Sequence, residues 1–279
     1  MLRLIRIRHG MHTANRPFPS GEMMKTLIAV LLCSGCLAYA RAAQTACEMT
    51  VAEVFTDADG GTLPYRIYLP AGIPAERKLP LVLFFHGAGE RGTNNVSQLV
   101  HGVMPLIRYG QNAKDPAILL VPQCPNGMQW VSVPWGDSRH TMPAQPSIPM
   151  RRALALLREK IRTLPVDPAR VYVTGISMGG YGTWDAIQRE PDLFAAAIPV
   201  CGGGDTACAP RIRHIPIWTF HGEKDGAVPV CRSRDMAEAL KSCGGNVRYR
   251  EYPGAGHGVW TPTYNDTEVL TWFFSQRKP

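Results

Sequence analysis

The 279-residue sequence contains no apolar run long enough to cross a membrane, which takes about 20 residues. It also has no internal repeat and no low-complexity tract. From residue 44 onward there is no cluster of Lys or Arg. The formal charge of +8 suggests a nucleic-acid binder only at first sight. Residues 1–43 hold six Lys/Arg (Arg3, Arg6, Arg8, Arg16, Lys25, Arg41) against the single acid Glu22, so +5 lies there and +3 remains for residues 44–279. A spread of +3 over so long a chain gives no electrostatic footprint for nucleic acid. Beyond residue 44 there is also no Cys-x-x-Cys and no Cys/His pair at zinc spacing, which excludes a structural zinc site.

What is present begins with an address. Met24-Lys25 precedes the short apolar run Thr26–Leu32, and small residues follow at Ala38, Ala40 and Ala42. This pattern is a secretory signal peptide with an A-x-A cleavage site. Residues 1–23 have no core pattern and read as a spurious extension, with residues 24–43 as the signal and 44–279 as one catalytic domain. Cys33-Ser34-Gly35-Cys36 is a loose lipobox, so a lipid anchor at Cys36 is the second reading of the address. Six cysteines remain downstream: Cys47, Cys124, Cys201, Cys208, Cys231 and Cys243. An even number in an exported chain predicts disulfides. Cys231–Cys243 is excluded as a pair, because an intervening helix would hold the two Cα atoms about 18 Å apart.

The body of the chain alternates apolar strands with amphipathic helices. Thr50–Phe55 and Leu63–Leu69 alternate around Asp57-Ala58-Asp59-Gly60-Gly61 and predict a β-hairpin. Leu79–Phe85, Ala117–Val121, Val171–Ile176, Ala195–Cys201, Ile215–Phe220 and Val247–Tyr252 predict strands, several apolar throughout and so buried on both faces. Helices are predicted from Met150, from Met178 to about Glu190, over about Cys231–Ser242, and over about Asp266–Gln276. Val166-Asp167-Pro168 reads as a turn. The alternation implies a mostly parallel sheet covered by helices on both faces, with its site at the carboxyl ends of the strands.

One stretch concentrates the chemistry. Val171–Thr174, then Gly175-Ile176-Ser177-Met178-Gly179, is a strand, a glycine-bounded serine and a helix start. Glycines two residues either side suit a strained turn that lifts the serine hydroxyl clear of the sheet. Acyl transfer by serine also needs a base, an acid to orient it and donors for the oxyanion. His257, after the Gly254–Gly256 turn, is the candidate base. Asp225, in His221-Gly222-Glu223-Lys224-Asp225, is the candidate acid, with Glu223 and Asp205 as rivals. The oxyanion donors are the N–H of Met178 and that of Ala88, with Gly89 the alternative. His86 and His221 each follow a strand and read as loop-holding. Glu90 and Arg91 form an ion pair shaping the loop or contact substrate. Trp130 and Trp135 line an acyl pocket or simply pack. Glu90, Trp130, Trp135 and Trp260 complete the candidate substrate contacts.

The order Ser177, Asp225, His257 is that of α/β-hydrolases. With His86–Gly92, Gly175–Trp184, Cys201–Asp205, Phe220–Asp225 and Gly256-His257, the chain resembles that superfamily over about residues 50–276. Within it, the chain is similar to secreted bacterial esterases and predicted peptidases near the poly-hydroxybutyrate depolymerase, phospholipase/carboxylesterase and carbohydrate esterase family 1 groups. The resemblance implies the α/β-hydrolase fold with an N-terminal β-hairpin, no cofactor or metal, and cleavage of small or polymer-linked esters through an acyl-enzyme. A serine peptidase on the same triad and a non-catalytic binding protein are the alternatives. No long insertion separates the Ala195–Cys201 and Ile215–Phe220 strands, where many lipases carry a lid.

Overall fold

A computed structural model describes residues 44–74 and 76–279. The expected signal peptide, the candidate lipobox and the expected extension before them lie outside the described residues. Among the described residues eight strands form one sheet: β1 (Val51–Thr56), β2 (Thr62–Tyr68), β3 (Leu79–Phe85), β4 (Ile118–Pro122), β5 (Val166–Ile176), β6 (Ala196–Val200), β7 (Ile217–Gly222) and β8 (Val247–Tyr252). Their spatial order is β1-β2-β4-β3-β5-β6-β7-β8. The β1–β2 hairpin is antiparallel and β2 pairs antiparallel with β4, whereas β3 to β8 run parallel.

The strand period of two divides the core into two layers. On β3, Leu81, Leu83 and Phe85 enter one apolar cluster. The intervening Val82 and Phe84 enter the other. The first layer is covered by the helices Ile148–Thr163, Met178–Arg189 and Cys231–Ser242, which contribute Leu154, Tyr181, Trp184, Met236 and Leu240. The second is covered by Val103–Asn112 and Thr267–Ser275, through Val103, Ile107, Leu270 and Phe273. Because both faces are covered, β3, β4 and β6 are buried along their whole length, as their unbroken apolar sequences require.

Two expectations change, and two helices appear that the sequence pattern did not signal. The Val166-Asp167-Pro168 turn is the start of β5, which pairs Leu79 with Val166 and then shifts register before Leu81 meets Val171. The expected C-terminal helix is Thr267–Ser275, which extended Asp266 caps by accepting the Glu268 N–H at 2.9 Å, and a short unanticipated helix, Trp260–Asn265, precedes it. A helix at Val103–Asn112 joins β3 to β4. The six cysteines from Cys47 on are all free thiols. Cys124 and Cys201 pack as small apolar groups in the two different core layers, so the sheet separates them. Among the described residues no helix is long and apolar enough to cross a membrane.

The turn after β5 is the tightest backbone packing in the fold. A Cβ at Gly175 would lie 2.4 Å from the Gly179 carbonyl oxygen and 2.6 Å from that of Phe85. Gly175→Ala should therefore cost about 1–3 kcal/mol by overpacking backbone against backbone, read as a lower urea midpoint at unchanged slope. Burial holds the Cys201 thiol above its ordinary pKa and pushes Cys124 up to about 12. Both should resist a thiol-specific disulfide reagent in the native protein, and all six cysteines from Cys47 on should react after denaturation without reductant.

Candidate active site

Ser177 sits between β5 and the helix Met178–Arg189 with φ +55° and ψ −119°, a conformation costly for a side-chain-bearing residue. Its surroundings hold it there. The Ser177 N–H donates to the Val200 carbonyl at 2.9 Å. A Cβ at Gly179 would meet the Phe85 oxygen at 2.0 Å, and one at Gly180 would meet the Val200 oxygen at 2.4 Å. The sequence thus supplies glycine wherever the helix start must touch the neighbouring strands β3 and β6.

His257 and Asp225 follow the ends of β8 and β7. His257 Nε2 lies 2.8 Å from Ser177 Oγ, and His257 Nδ1 lies 2.7 Å from Asp225 Oδ2. Asp225 Oδ1 accepts the backbone N–H groups of Ala227 and Val228, each at 2.9 Å. Enclosure of the Asp225 side chain (0% exposed) opposes its charge. Donors from His221, His257, Val228 and Ala227 outweigh that, and the carboxyl is held far below the ordinary range. Asp225 is therefore ionised at every pH at which an imidazole titrates. The two rivals serve elsewhere. Glu223 accepts the Gly254 N–H at 2.6 Å and holds the turn before His257. Asp205 accepts the N–H groups of Met142 and Ala207.

The loop after β3 passes beside the serine: a Cβ at Gly87 would lie 3.6 Å from Ser177 Cβ. Ala88 opens the short 3₁₀ turn Ala88–Glu90, and Met178 opens its helix, so neither N–H has an acceptor within its own turn. His86 braces this loop from below. Its Nε2 accepts the Cys124 N–H at 2.9 Å, which leaves the proton on Nδ1, 2.6 Å from the Gly87 carbonyl. Burial lowers the His86 pKa to about 4, so the ring is neutral. Arg91 donates to the Ala88 and Met128 carbonyls instead of pairing with Glu90.

Of the four candidate substrate contacts, two border Ser177 and His257. The Trp260 ring stands edge-on to His257 with centroids 5.3 Å apart. Glu90 Oε2 would lie 2.9 Å from a Cβ on Gly87, and burial raises its carboxyl pKa against the pull of the Gly87 and Glu90 N–H groups. Trp130 is a correction: it is 0% exposed, donates to the His86 carbonyl at 3.1 Å and packs on Phe85, so it is core. Trp135 is half-buried, carries the Arg91 guanidinium over its ring, and accepts the Tyr181 hydroxyl through its carbonyl. His101 was missed by the sequence reading. It lies 3.8 Å from Glu90 Oε1 and against Trp260, and no spacing in the sequence signals that contact. Cys201, also unanticipated, donates its thiol to the His257 carbonyl at 3.3 Å.

Residues 140–269 match the dienelactone hydrolase family model. The solved structure of a thermostable esterase is 40% identical with TM-score 0.76, covering 83% of this chain and 64% of that one. An uncharacterized secreted protein of Arthroderma benhamiae is 26% identical over 235 residues, 67% of this chain and 22% of its own length. A bifunctional acetylxylan esterase/xylanase of Neocallimastix patriciarum is 28% identical over 106 residues, 35% of this chain and 16% of its own. The chain thus spans less than two thirds of each of these relatives.

The neutral His86 yields a pH test. Its pKa falls from 6.5 unfolded to about 4 folded, so its contribution is complete above pH 6.5 and is lost as pH falls toward 4. The loss should be on the order of 3 kcal/mol. Denaturant melts at pH 7 and pH 4 should show a steeper decline for wild type than for His86→Gln.

Proposed function

We propose that this chain, which belongs to the α/β-hydrolase superfamily, is a serine hydrolase that cleaves carboxylic esters through a covalent acyl-enzyme. The observation that carries this reading is the unbroken run of contacts from Ser177 Oγ through His257 to Asp225, with two free-ended backbone amides beside the serine. In this reading His257 Nε2 takes the Ser177 proton as Oγ attacks the ester carbonyl. The amides of Met178 and Ala88 hold the oxyanion. Asp225 keeps the proton of neutral His257 on Nδ1 and stabilises the imidazolium as it forms. The imidazolium then protonates the departing alcohol. Water, deprotonated by His257, releases the acid and restores Ser177.

Two observations bear on substrate. Between β6 and β7 lie only a 3₁₀ turn and the four-residue helix Ala209–Ile212, too little chain for a lid. The His257 side chain is 25% exposed beside Trp260. An uncovered site of this kind suits esters carried on a polysaccharide or polymer, and the likeness to an acetylxylan esterase supports that class. Export belongs to the same reading. It is supported by the Met24–Ala42 address and by the secreted relative.

The test is labelling with a fluorophosphonate probe and a panel of p-nitrophenyl acetate, butyrate and octanoate, methyl ferulate and peptide anilides. Wild type should be labelled and should turn over short-chain esters or methyl ferulate. Ser177→Ala should be unlabelled and lose at least about 10³-fold in kcat. Faster turnover of anilides than of esters would make the chain a peptidase, and absence of labelling would make it a binding protein.

A further inference from the structure

We propose that His221 is a second histidine on the catalytic carboxylate, a positioning residue that holds Asp225 for His257; the inference rests on the triad reading above. His221 is the penultimate residue of β7 and is 0% exposed. Its Nε2 lies 3.1 Å from Asp225 Oδ2 and 3.1 Å from the Val228 carbonyl. Both are acceptors, so Nε2 carries a proton. Its Nδ1 lies 2.7 Å from Ser233 Oγ, while Ser233 Oγ is 3.2 Å from the Gly202 carbonyl. The Ser233 hydroxyl thus braces the ring on its Nδ1 side, while the proton on Nε2 is set by that nitrogen's own two acceptors, Asp225 and Val228. Asp225 Oδ2 then receives two imidazole N–H groups, from His221 and His257, while Oδ1 receives two backbone N–H groups.

This arrangement has consequences for catalysis that packing alone lacks. A carboxylate with four donors is a weak base, so it orients His257 without taking its proton. It is also unable to turn, because both oxygens are held. The groups that face His221 are few. Asp225 and Val228 come from the loop after β7, and Ser233 comes from the helix Cys231–Ser242. Glu251 stands opposite on β8, its carboxylate already bound by Arg234, and Cys201 lies with Asp225 and His257 at the end of β6. The nearest charge to the His221 ring that can change the triad is therefore Asp225.

The test reads the rate of fluorophosphonate labelling of Ser177 against pH, in full-length protein. His221→Asn retains a polar group on the Ser233 side but loses the donor to Asp225. His221→Gln returns an N–H at the Nε2 position. The Asn variant should label about tenfold more slowly or worse, with unchanged circular dichroism. Its acid limb should move up by roughly half a pH unit, because a less saturated Asp225 binds the His257 imidazolium more tightly. The Gln variant should recover to within about threefold of wild type, with the limb restored. Equal loss in both variants with an unmoved limb, or wild-type labelling in the Asn variant, would overturn the proposal. Loss of fold in both would be resolved by Ser233→Ala, which removes the hydroxyl that braces the ring at Nδ1 and should move the limb in the same direction; an unmoved limb there would also overturn it. Failure of wild type itself to label would instead sink the triad reading, so the two outcomes are distinct.

Discussion

The structure depends on backbone meeting backbone at the end of β5. Gly175, Gly179 and Gly180 let the start of one helix rest directly on the carbonyls of Phe85 and Val200, with 2.0–2.6 Å to any Cβ added there. No side chain could mediate that contact, and the energy that keeps Ser177 at φ +55° comes from it. Everything else in the site is arranged around the hydroxyl so raised. The loop after β3 is brought alongside because β3 is the neighbour of β5, and His257 and Asp225 arrive from the two strands beyond β6.

Charge in the site is handled by enclosure and saturation together. Asp225 is shut from solvent yet kept ionised by four donors, whereas His86, equally shut away and with a single acceptor for its proton, is kept neutral. Two residues of similar burial are driven in opposite senses because one finds compensation and the other does not. The neutral ring can brace the loop that carries Ala88 without adding a charge beside Ser177.

Much of this was legible in the sequence because it rests on local chemistry. Glycine at fixed offsets from a serine, apolar runs ended by polar loops, and a proline after a helix all act over a few residues. The order Ser177, Asp225, His257 and the choice of Asp225 over Glu223 and Asp205 followed from strand ends. What stayed hidden depends on contacts between distant segments. Trp130 lies in a proline-rich, irregular stretch, and only the fold reveals that it plugs the space under His86. His101 meets Glu90 and Trp260 across long loops. The short helix Trp260–Asn265, which ends where Asp266 caps the next one, carries no apolar period of its own to announce it. The cysteine count suggested cross-links, but Cys124 and Cys201 fill opposite core layers as thiols.

The position of β8 has a bearing on how the molecule loses function. This strand is the outermost of the parallel run, none of its six residues is fully buried, and the chain that leaves it carries His257. Ser177 hangs from β5 at the centre of the sheet, among strands buried on both faces. Edge strands open at lower free energy than central ones. Local fraying of β8 would carry His257 away from Ser177 while the serine turn, the loop after β3 and most of the core stayed in place. Heat inactivation would then be a local event that precedes melting, reversible as long as the edge can zip back onto β7.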